Sequence, residues 1–357
     1  MNKIALIASK NEAWIIQKCL TILDNFCDLI LISDGDSNDG SIEIYKKFNK
    51  VKLVNSHEVE VKGQNRRANL LDAARKIPGD NILFFLDSDE LPFLPDPYEL
   101  KSLLSNLKKG EILEVPWLWL WKSPLHYRND NSVWSNRWLP FIFFDDRISK
   151  YEIGDWHESR MPGNNLKTIR TKVTSLVHFA TVPKNRFESR QRYCMLKEFL
   201  NLNKDYPSIN LTYIPTIDER NIQLKKIDLN HIDNWKKIGV ELDFFNDPEL
   251  NWHDLEILKI FKKYGVKKFF SLNIWDINWE YKRQLALDLE DIPDFEIIDN
   301  RTIEQRIYHY FLNKNINNPF WRNKFFIRYI LIGLVKKISP KIHQKLKNIF
   351  NSNLIFS

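Results

Sequence analysis

The first 90 residues predict an α/β fold, a mostly parallel, Rossmann-like sheet flanked by helices. Four short apolar, β-branched runs occur at Ile4 to Ala8, Leu29 to Ser33, Val51 to Val54 and Ile82 to Leu86. Helix-patterned stretches separate them, and that alternation is the signature of β-α-β units with parallel pairing. Runs one, two and four also stop on polar, acidic or glycine-containing residues, as strands do where an open sheet presents its carboxyl edge to a ligand.

Between the first two runs, Ala13 to Asn25 sets Trp14, Ile15, Cys19, Ile22 and Leu23 at helical spacing. Asn38-Asp39-Gly40-Ser41 supplies capping residues for a second helix, and a third is expected from about Gly63 to Lys76. No Gly-x-Gly-x-x-Gly follows the first run and no Walker-type Gly-Lys-Ser/Thr loop occurs, which disfavours the dinucleotide and P-loop versions of this architecture. After three prolines between Pro92 and Pro97, a helix near Tyr98 to Lys108 leads into an aromatic run, Ile112 to Trp121, where the sheet continues. Trp134 to Phe144 is again aromatic, and Lys172 to Phe179 is β-rich before a polar helix from about Asn185 to Asn203. Past Pro215 the chain turns charged and mostly helical, with Trp235, Trp252, Trp275 and Trp279 scattered through it. The expected organisation is an α/β domain over residues 1–214 in two halves, 1–91 and 92–214. A helical region without an assignable motif follows over 215–316, and then a basic amphipathic tail over 317–357.

At 357 residues the chain has room for one enlarged domain or two. Its 43% hydrophobic and 28% charged residues exclude wholesale disorder. The net charge of +7 favours an anionic partner, and nucleic acid, acidic lipid and a phosphorylated substrate all qualify. Cys19, Cys27 and Cys194 lack metal-ligand spacing, and an odd count suits a disulfide framework poorly, so a reducing compartment is expected. No secretory signal pattern is visible, and no stretch reaches the roughly 18 to 20 apolar residues of a membrane span. A cytoplasmic protein, soluble or peripheral, is expected.

The fourth run passes directly into Asp87-Ser88-Asp89-Glu90. Two carboxylates at a strand end can hold a hard divalent cation against a diphosphate, while an acidic N-cap is the purely structural alternative. The second run ends in Ser33-Asp34-Gly35-Asp36-Ser37-Asn38-Asp39-Gly40. Asp34, at the strand end and expected level with Asp87 on a neighbouring strand, is the candidate for a base or ribose contact; Asp36 and Asp39 read as turn and cap residues. Ser9-Lys10-Asn11-Glu12 closes the first run at the same edge, where Asn11 or Glu12 holds the base or ribose or else caps the first helix. Gln64, Arg66, Arg67 and Asn69 fall near the edge of the fourth strand, where a basic group suits a diphosphate, with a solvated helix face as the alternative.

In this order and spacing, Ser9-Lys10-Asn11-Glu12, Asp34-Gly35-Asp36-Ser37-x-Asp39-Gly40, Gln64-x-Arg66 and Asp87-Ser88-Asp89-Glu90 resemble family 2 glycosyltransferases of GT-A fold. The branch they look most like is that of the lipopolysaccharide-core β-glucosyltransferases, with an Asp-x-Asp-Glu motif, and the resemblance covers roughly residues 1–200. It implies Asp89 and Asp87 on a Mn²⁺ or Mg²⁺ that bridges the donor diphosphate, with Asp87 also near the ribose and Asp34 on the base. Asn11, Glu12, Gln64, Arg67 and Ser88 complete the expected nucleotide-sugar site. Arg137-Trp138 to Phe144, Trp156-His157-Glu158, Val177-His178-Phe179 and Arg190 to Tyr193 resemble the acceptor half of the same branch. Inversion at the anomeric carbon needs a base for the acceptor hydroxyl. Glu158 is the first candidate and Asp155 the alternative. His178 is expected to complete the metal shell or touch the diphosphate, with a satisfied core histidine as the alternative. The chain lacks a Gln-x-x-Arg-Trp signature, which argues against a processive synthase.

The tail, Pro319 to Phe356, interleaves basic residues such as Arg322, Lys336 and Lys341 with apolar ones such as Phe326, Leu334 and Ile342, as an interfacial anchor on an anionic membrane does. A basic helix packed on the same chain is the alternative. The whole reads as a metal-dependent inverting glycosyltransferase, peripheral on the cytoplasmic membrane face. It would move a sugar from a nucleotide diphosphate, expected to be a UDP-sugar, to a saccharide or lipid-linked acceptor in envelope polysaccharide or lipopolysaccharide assembly. The competing reading is a non-catalytic scaffold on a membrane surface or nucleic acid. Three carboxylates converging on one edge speak against it, and charge gathered in an amphipathic tail argues against a nucleic-acid partner.

Overall fold

The structure, a computed structural model, describes residues 1–54, 64–130, 132, 134–151, 159–163, 166–201, 204–217, 222–243 and 245–315. In chain order the elements are β1 (Asn2–Ser9), α1 (Ile16–Asp24), β2 (Leu29–Asp34), α2 (Ser41–Tyr45), β3 (Val51–Leu53), α3 (Gln64–Arg75), β4 (Asn81–Asp87) and β5 (Glu90–Phe93). They continue with α4 (Pro97–Ser105), β6 (Glu111–Trp119), β7 (His126–Arg128), β8 (Arg137–Phe144), β9 (Lys167–Arg170) and β10 (Ser175–His178). The last group is α5 (Lys184–Asn201), α6 (Tyr206–Ile217), β11 (Leu224–Lys226), α7 (Leu229–Lys237), α8 (Trp252–Tyr264), α9 (Trp279–Leu285) and α10 (Ile303–Asn315). The expected tail from residue 317 lies outside the described residues, and among those no helix is long and apolar enough to cross a membrane.

The chain divides into two compact units, Met1–Lys184 with Ile222–Asp247, and Asn185–Asn221 with Pro248–Ser357. The division does not fall at residue 214. Residues 222–247 belong with the first unit because β11 pairs antiparallel with β7 in a separate two-stranded sheet and the buried Trp235 indole of α7 donates to the Pro92 carbonyl of β5 (3.2 Å). The region after residue 215 is therefore not uniformly helical.

In the first unit, nine of the described strands form one sheet, ordered β3-β2-β1-β4-β8-β6-β10-β5 with β9 beside β6. β3, β2, β1 and β4 are parallel, as the β-α-β rhythm predicts; β8 runs antiparallel to β4, and β5 antiparallel to β10. Side chains alternate across a strand. Ile4 and Leu6 of β1 thus pack with Leu31, Leu83, Phe85 and the buried Leu70, Leu71 and Ala74 of α3, while Ala5 and Ile7 are buried on the other face. β5 and β9 were not expected, because each is a short strand whose pairing partner is distant in sequence. α3 is closed at its carboxyl end by Arg147, whose guanidinium donates to the Arg75, Ile77 (2.8 Å) and Gly79 (2.6 Å) carbonyls.

The second unit is helical, around Leu196, Ile209, Ile257, Leu258, Phe261, Phe269 and the two tryptophans Trp275 and Trp279. Their indoles donate to the Phe269 (3.1 Å) and Ile274 (2.9 Å) carbonyls, so both are core residues with satisfied polar ends. His309 is 3% exposed; its Nε2 faces the Ser271 carbonyl (3.1 Å) and its Nδ1 the Arg301 guanidinium (2.6 Å). That pairing sets the neutral tautomer, with Nε2 donating and Nδ1 accepting. Burial above all pushes the imidazole pKa down, to about 4. The native ring is thus neutral while the unfolded chain binds a proton below the ordinary value near 6.5. Stability is expected to fall as pH drops from about 6.5 towards 4, by about 3 kcal/mol in all. Urea unfolding at pH 7.5 and pH 4.5 is expected to show a loss that His309→Gln removes; an equal loss in the variant contradicts this assignment.

Candidate functional site

The parallel register sets the ends of three strands side by side: Ser9 of β1 lies opposite Asp34 of β2, and Ala8 opposite Asp87 of β4. Asp34 and Asp87 are level, as expected, but not on neighbouring strands. The order β2-β1-β4 puts β1 between them, so they flank its end from opposite sides.

On the β2 side the predicted residues build a tight loop. Asn11 is 4% exposed with φ 54°, its backbone N–H donates to Ser37 Oγ (2.7 Å), and its Oδ1 accepts from the Asn38 N–H (2.8 Å). Asp34 accepts from the Ser37 N–H (2.7 Å), Ser37 Oγ (2.8 Å) and the Tyr45 hydroxyl (3.0 Å). Asp39 accepts from the Ser41 N–H (3.1 Å) two residues on, the turn role read from the sequence, and from the Ala13 N–H (2.8 Å), while the N-cap position of α2 falls to Gly40. Glu12 accepts from the Trp14 indole (2.6 Å). Arg66 reaches over this loop from α3. A Cβ on Gly35 would stand 2.4 Å from its guanidinium, so glycine is what lets the cation lie beside the ends of β1 and β2. Gln64 opens α3, but its side chain lies outside the described residues.

On the β4 side the acidic motif meets two arginines. Arg67 pairs with Asp87 Oδ1 (2.9 Å). Arg160 grips both oxygens of Glu90 (2.6 and 2.7 Å) and touches Asp87 Oδ2 (3.3 Å). Burial opposes ionisation of Asp87, but Arg160 and then Arg67 outweigh it and hold the carboxyl below its usual range. Glu90 is fully buried and takes further hydrogen bonds from the Trp117 indole (2.9 Å) and the Asp87 N–H (2.9 Å). Trp117 in turn stacks on the His178 ring at 4.8 Å. His178 Nε2 faces Asp89 Oδ1 at 3.4 Å, with the two side chains 8% and 5% exposed. Its buried Nδ1 has no hydrogen-bond partner among the described residues. Ser88, 5% exposed, is buried within the motif.

The three expected metal residues are therefore split. Asp89 and His178 face one another, while Asp87 is turned to arginines because two guanidiniums compete for its oxygens. Among the described residues no group of three or more His, Cys, Asp or Glu is gathered for a metal. The Asp89–His178 pair, a carboxylate and an imidazole with an orphaned buried nitrogen, suits a divalent ion as two ligands of a larger set. Glu158 and Asp155, the expected bases, lie outside the described residues. Sequence reading did not assign Arg160, Glu90 or Trp117. The available signal was the third acid of the motif, since a carboxylate on a buried strand requires a counter-charge.

An open parallel sheet with polar and acidic loops at the carboxyl ends of β1, β2 and β4 defines the class of α/β proteins whose ligands sit in the crevice beyond those ends. Residues 5–154 match the family described as Glycosyl transferase family 2, and this match supports a glycosyltransferase enzyme. Partial structural likenesses include glucosyl-3-phosphoglycerate synthase from Mycobacterium tuberculosis with Mn²⁺, uridine diphosphate and glucosyl-3-phosphoglycerate (19% identity, 33% of this chain and 44% of that chain, TM-score 0.25). Mannosyl-3-phosphoglycerate synthase from Rubrobacter xylanophilus (19%, 34% and 41%, 0.25) and S. aureus TarS (13%, 90% and 54%, 0.33) are others. The chain thus spans about half the length of these structures, or less. No curated protein matches it.

Proposed function

We propose that the protein transfers a sugar, with inversion, from a nucleotide diphosphate to a saccharide or lipid-linked acceptor of an envelope polysaccharide or lipopolysaccharide. The observation that carries this reading is the convergence of the β1, β2 and β4 ends on one edge, with Asp34 on one side of β1 and Asp87-Ser88-Asp89-Glu90 on the other. In this reading the base and ribose lie on the Asn11–Asp34 side, and the diphosphate crosses the end of β1 towards β4. Arg66 and Arg67 flank that path and supply positive charge along it. Asp89 and His178 would hold a Mn²⁺ or Mg²⁺, which neutralises charge on the departing diphosphate. Glu158, or else Asp155, is proposed to deprotonate the acceptor hydroxyl. The half-buried Trp134, packed edge-on against Trp119 at 4.3 Å, is proposed to offer the acceptor sugar an apolar face, and Trp119 in turn packs edge-on against His178 at 4.9 Å. The basic tail is proposed to hold the enzyme on an anionic cytoplasmic membrane face.

Calorimetric titration with UDP, GDP, CDP and TDP, each with and without Mn²⁺, tests this. Metal-dependent binding of one diphosphate, expected to be UDP, supports the reading. Absence of binding by all four removes the donor site.

A further inference from the structure

The second unit carries an apolar surface that none of the described residues covers. Leu285 at the end of α9, then Leu287, Leu289, Phe295 and Ile298 are exposed. α10 continues the series with Ile303 (74% exposed) and Ile307 (49% exposed), four residues apart and so on the same face of the helix. Soluble proteins seldom leave so many large apolar side chains of one stretch in the open unless a partner takes them up.

The same stretch has one sign of charge. Residues 284–300 contain Asp288, Glu290, Asp291, Asp294, Glu296 and Asp299, and no lysine or arginine. Asp299 pairs with Arg301 (2.9 Å) and Arg306 (3.4 Å), whereas the other acids of the run have no ion-pair partner among the described residues. Acids alone would make a solvated face. Interleaved with exposed leucine, isoleucine and phenylalanine, they complement a basic amphipathic segment.

The chain itself contains such a segment. Residues 317–357, outside the described residues, hold eight lysines and arginines, no acid, and apolar residues at helical spacing such as Phe326, Ile330 and Leu334. The segment begins just past the end of α10 at Asn315. Pro319 stops a helix, and a short connection there brings a following helix back antiparallel. Ile303 lies about 18 Å from Asn315 along α10, at about 1.5 Å per residue. A returning helix of that pitch sets Phe326, Ile330 and Leu334 along the Ile303 and Ile307 side. It then carries Lys336, Lys337, Lys341 and Lys345 past the start of α10, where the acidic run joins it.

We infer that the acidic, apolar face of residues 285–298, with the Ile303 and Ile307 side of α10, is the docking site of this chain's own basic tail. Docking goes beyond the membrane reading of the tail and does not rest on it, because the acidic face and an anionic bilayer compete for the same lysines and apolar side chains.

The test uses the full chain and a zero-length carbodiimide cross-linker at low ionic strength, with the monomer fraction isolated and its linked peptides identified by mass spectrometry. Amide links are expected from Lys336, Lys337, Lys341 or Lys345 to Asp288, Glu290, Asp291, Asp294 or Glu296. Their yield is expected to fall about tenfold in about 1 M salt, where charges are screened within about 3 Å. Ile303→Ser/Ile307→Ser changes two exposed side chains and so spares the fold; it is expected to lower the yield about tenfold while circular dichroism stays unchanged. Absence of links between tail and acids, links confined to a dimer, or an equal yield in the serine variant each overturns the docking. Phosphatidylglycerol vesicles added before the reagent are expected to reduce the links. Links that form and persist undiminished with vesicles uphold the docking and remove the membrane reading of the tail.

Discussion

Arg160→Ala is expected to destabilise the first unit by about 3–5 kcal/mol, as removal of one partner of a buried ion pair does. The Arg160 side chain is 11% exposed and that of Glu90 is 0% exposed, with two charge-assisted hydrogen bonds between them. Without the guanidinium, Glu90 keeps bonds from Trp117 and the Asp87 N–H but must either ionise uncompensated or take up a proton. Burial disfavours the Arg160 charge, and Glu90 and Asp87 more than restore it, so the cation is held by that pair. Glu90→Gln/Arg160→Met is expected to recover most of the loss, because neither side chain then carries an unpaired charge. Urea unfolding of Glu90→Gln, Arg160→Met and the double variant gives the coupling directly. A loss below about 1 kcal/mol in Arg160→Ala would falsify the buried clamp.

Asp89→Ala is expected to lower metal-dependent diphosphate binding by about 100-fold, the loss of a charged ligand worth about 3 kcal/mol. Asp89 is the carboxylate of the motif whose Oδ1 faces His178, whereas both Asp87 oxygens are engaged by arginines. Asp87→Asn is therefore expected to act differently, weakening the hold on Arg67 and Arg160 and lowering stability as well as binding. Titrating Mn²⁺ against each variant in the presence of the preferred diphosphate separates the two. If Asp89→Ala binds metal and diphosphate as the parent does, the proposed ligand pair is wrong. The fold has an internal check, since the Phe179 N–H donates to the Asp89 backbone carbonyl (2.9 Å), a bond that alanine preserves.

Much of the sheet was legible before the structure. β1, β2, β3 and β4 lie where the four apolar runs predict, within one or two residues at each end. Buried strands read as continuous β-branched runs, and capping and turn residues act within a few positions of themselves. Asp39 as a turn residue and the position of α3 follow from the same locality. β5 and β11 were not legible, since a short strand is defined by its partner more than by its own pattern. The Trp275 and Trp279 positions were visible, but nothing local showed that both belong to a core.

The sequence by itself determined that this protein is built on β-α-β units and that carboxylates stand at the ends of two parallel strands. Periodicity and strand-end chemistry are properties of a few consecutive residues. Only the tertiary structure decided that β1 separates Asp34 from Asp87, that Ile222–Asp247 returns to the first unit, and that Glu90 belongs to Arg160, seventy residues along the chain. The physical reason is that a buried charge is satisfied by whichever opposite charge the packing brings within hydrogen-bond reach, and that partner leaves no periodic trace in the sequence.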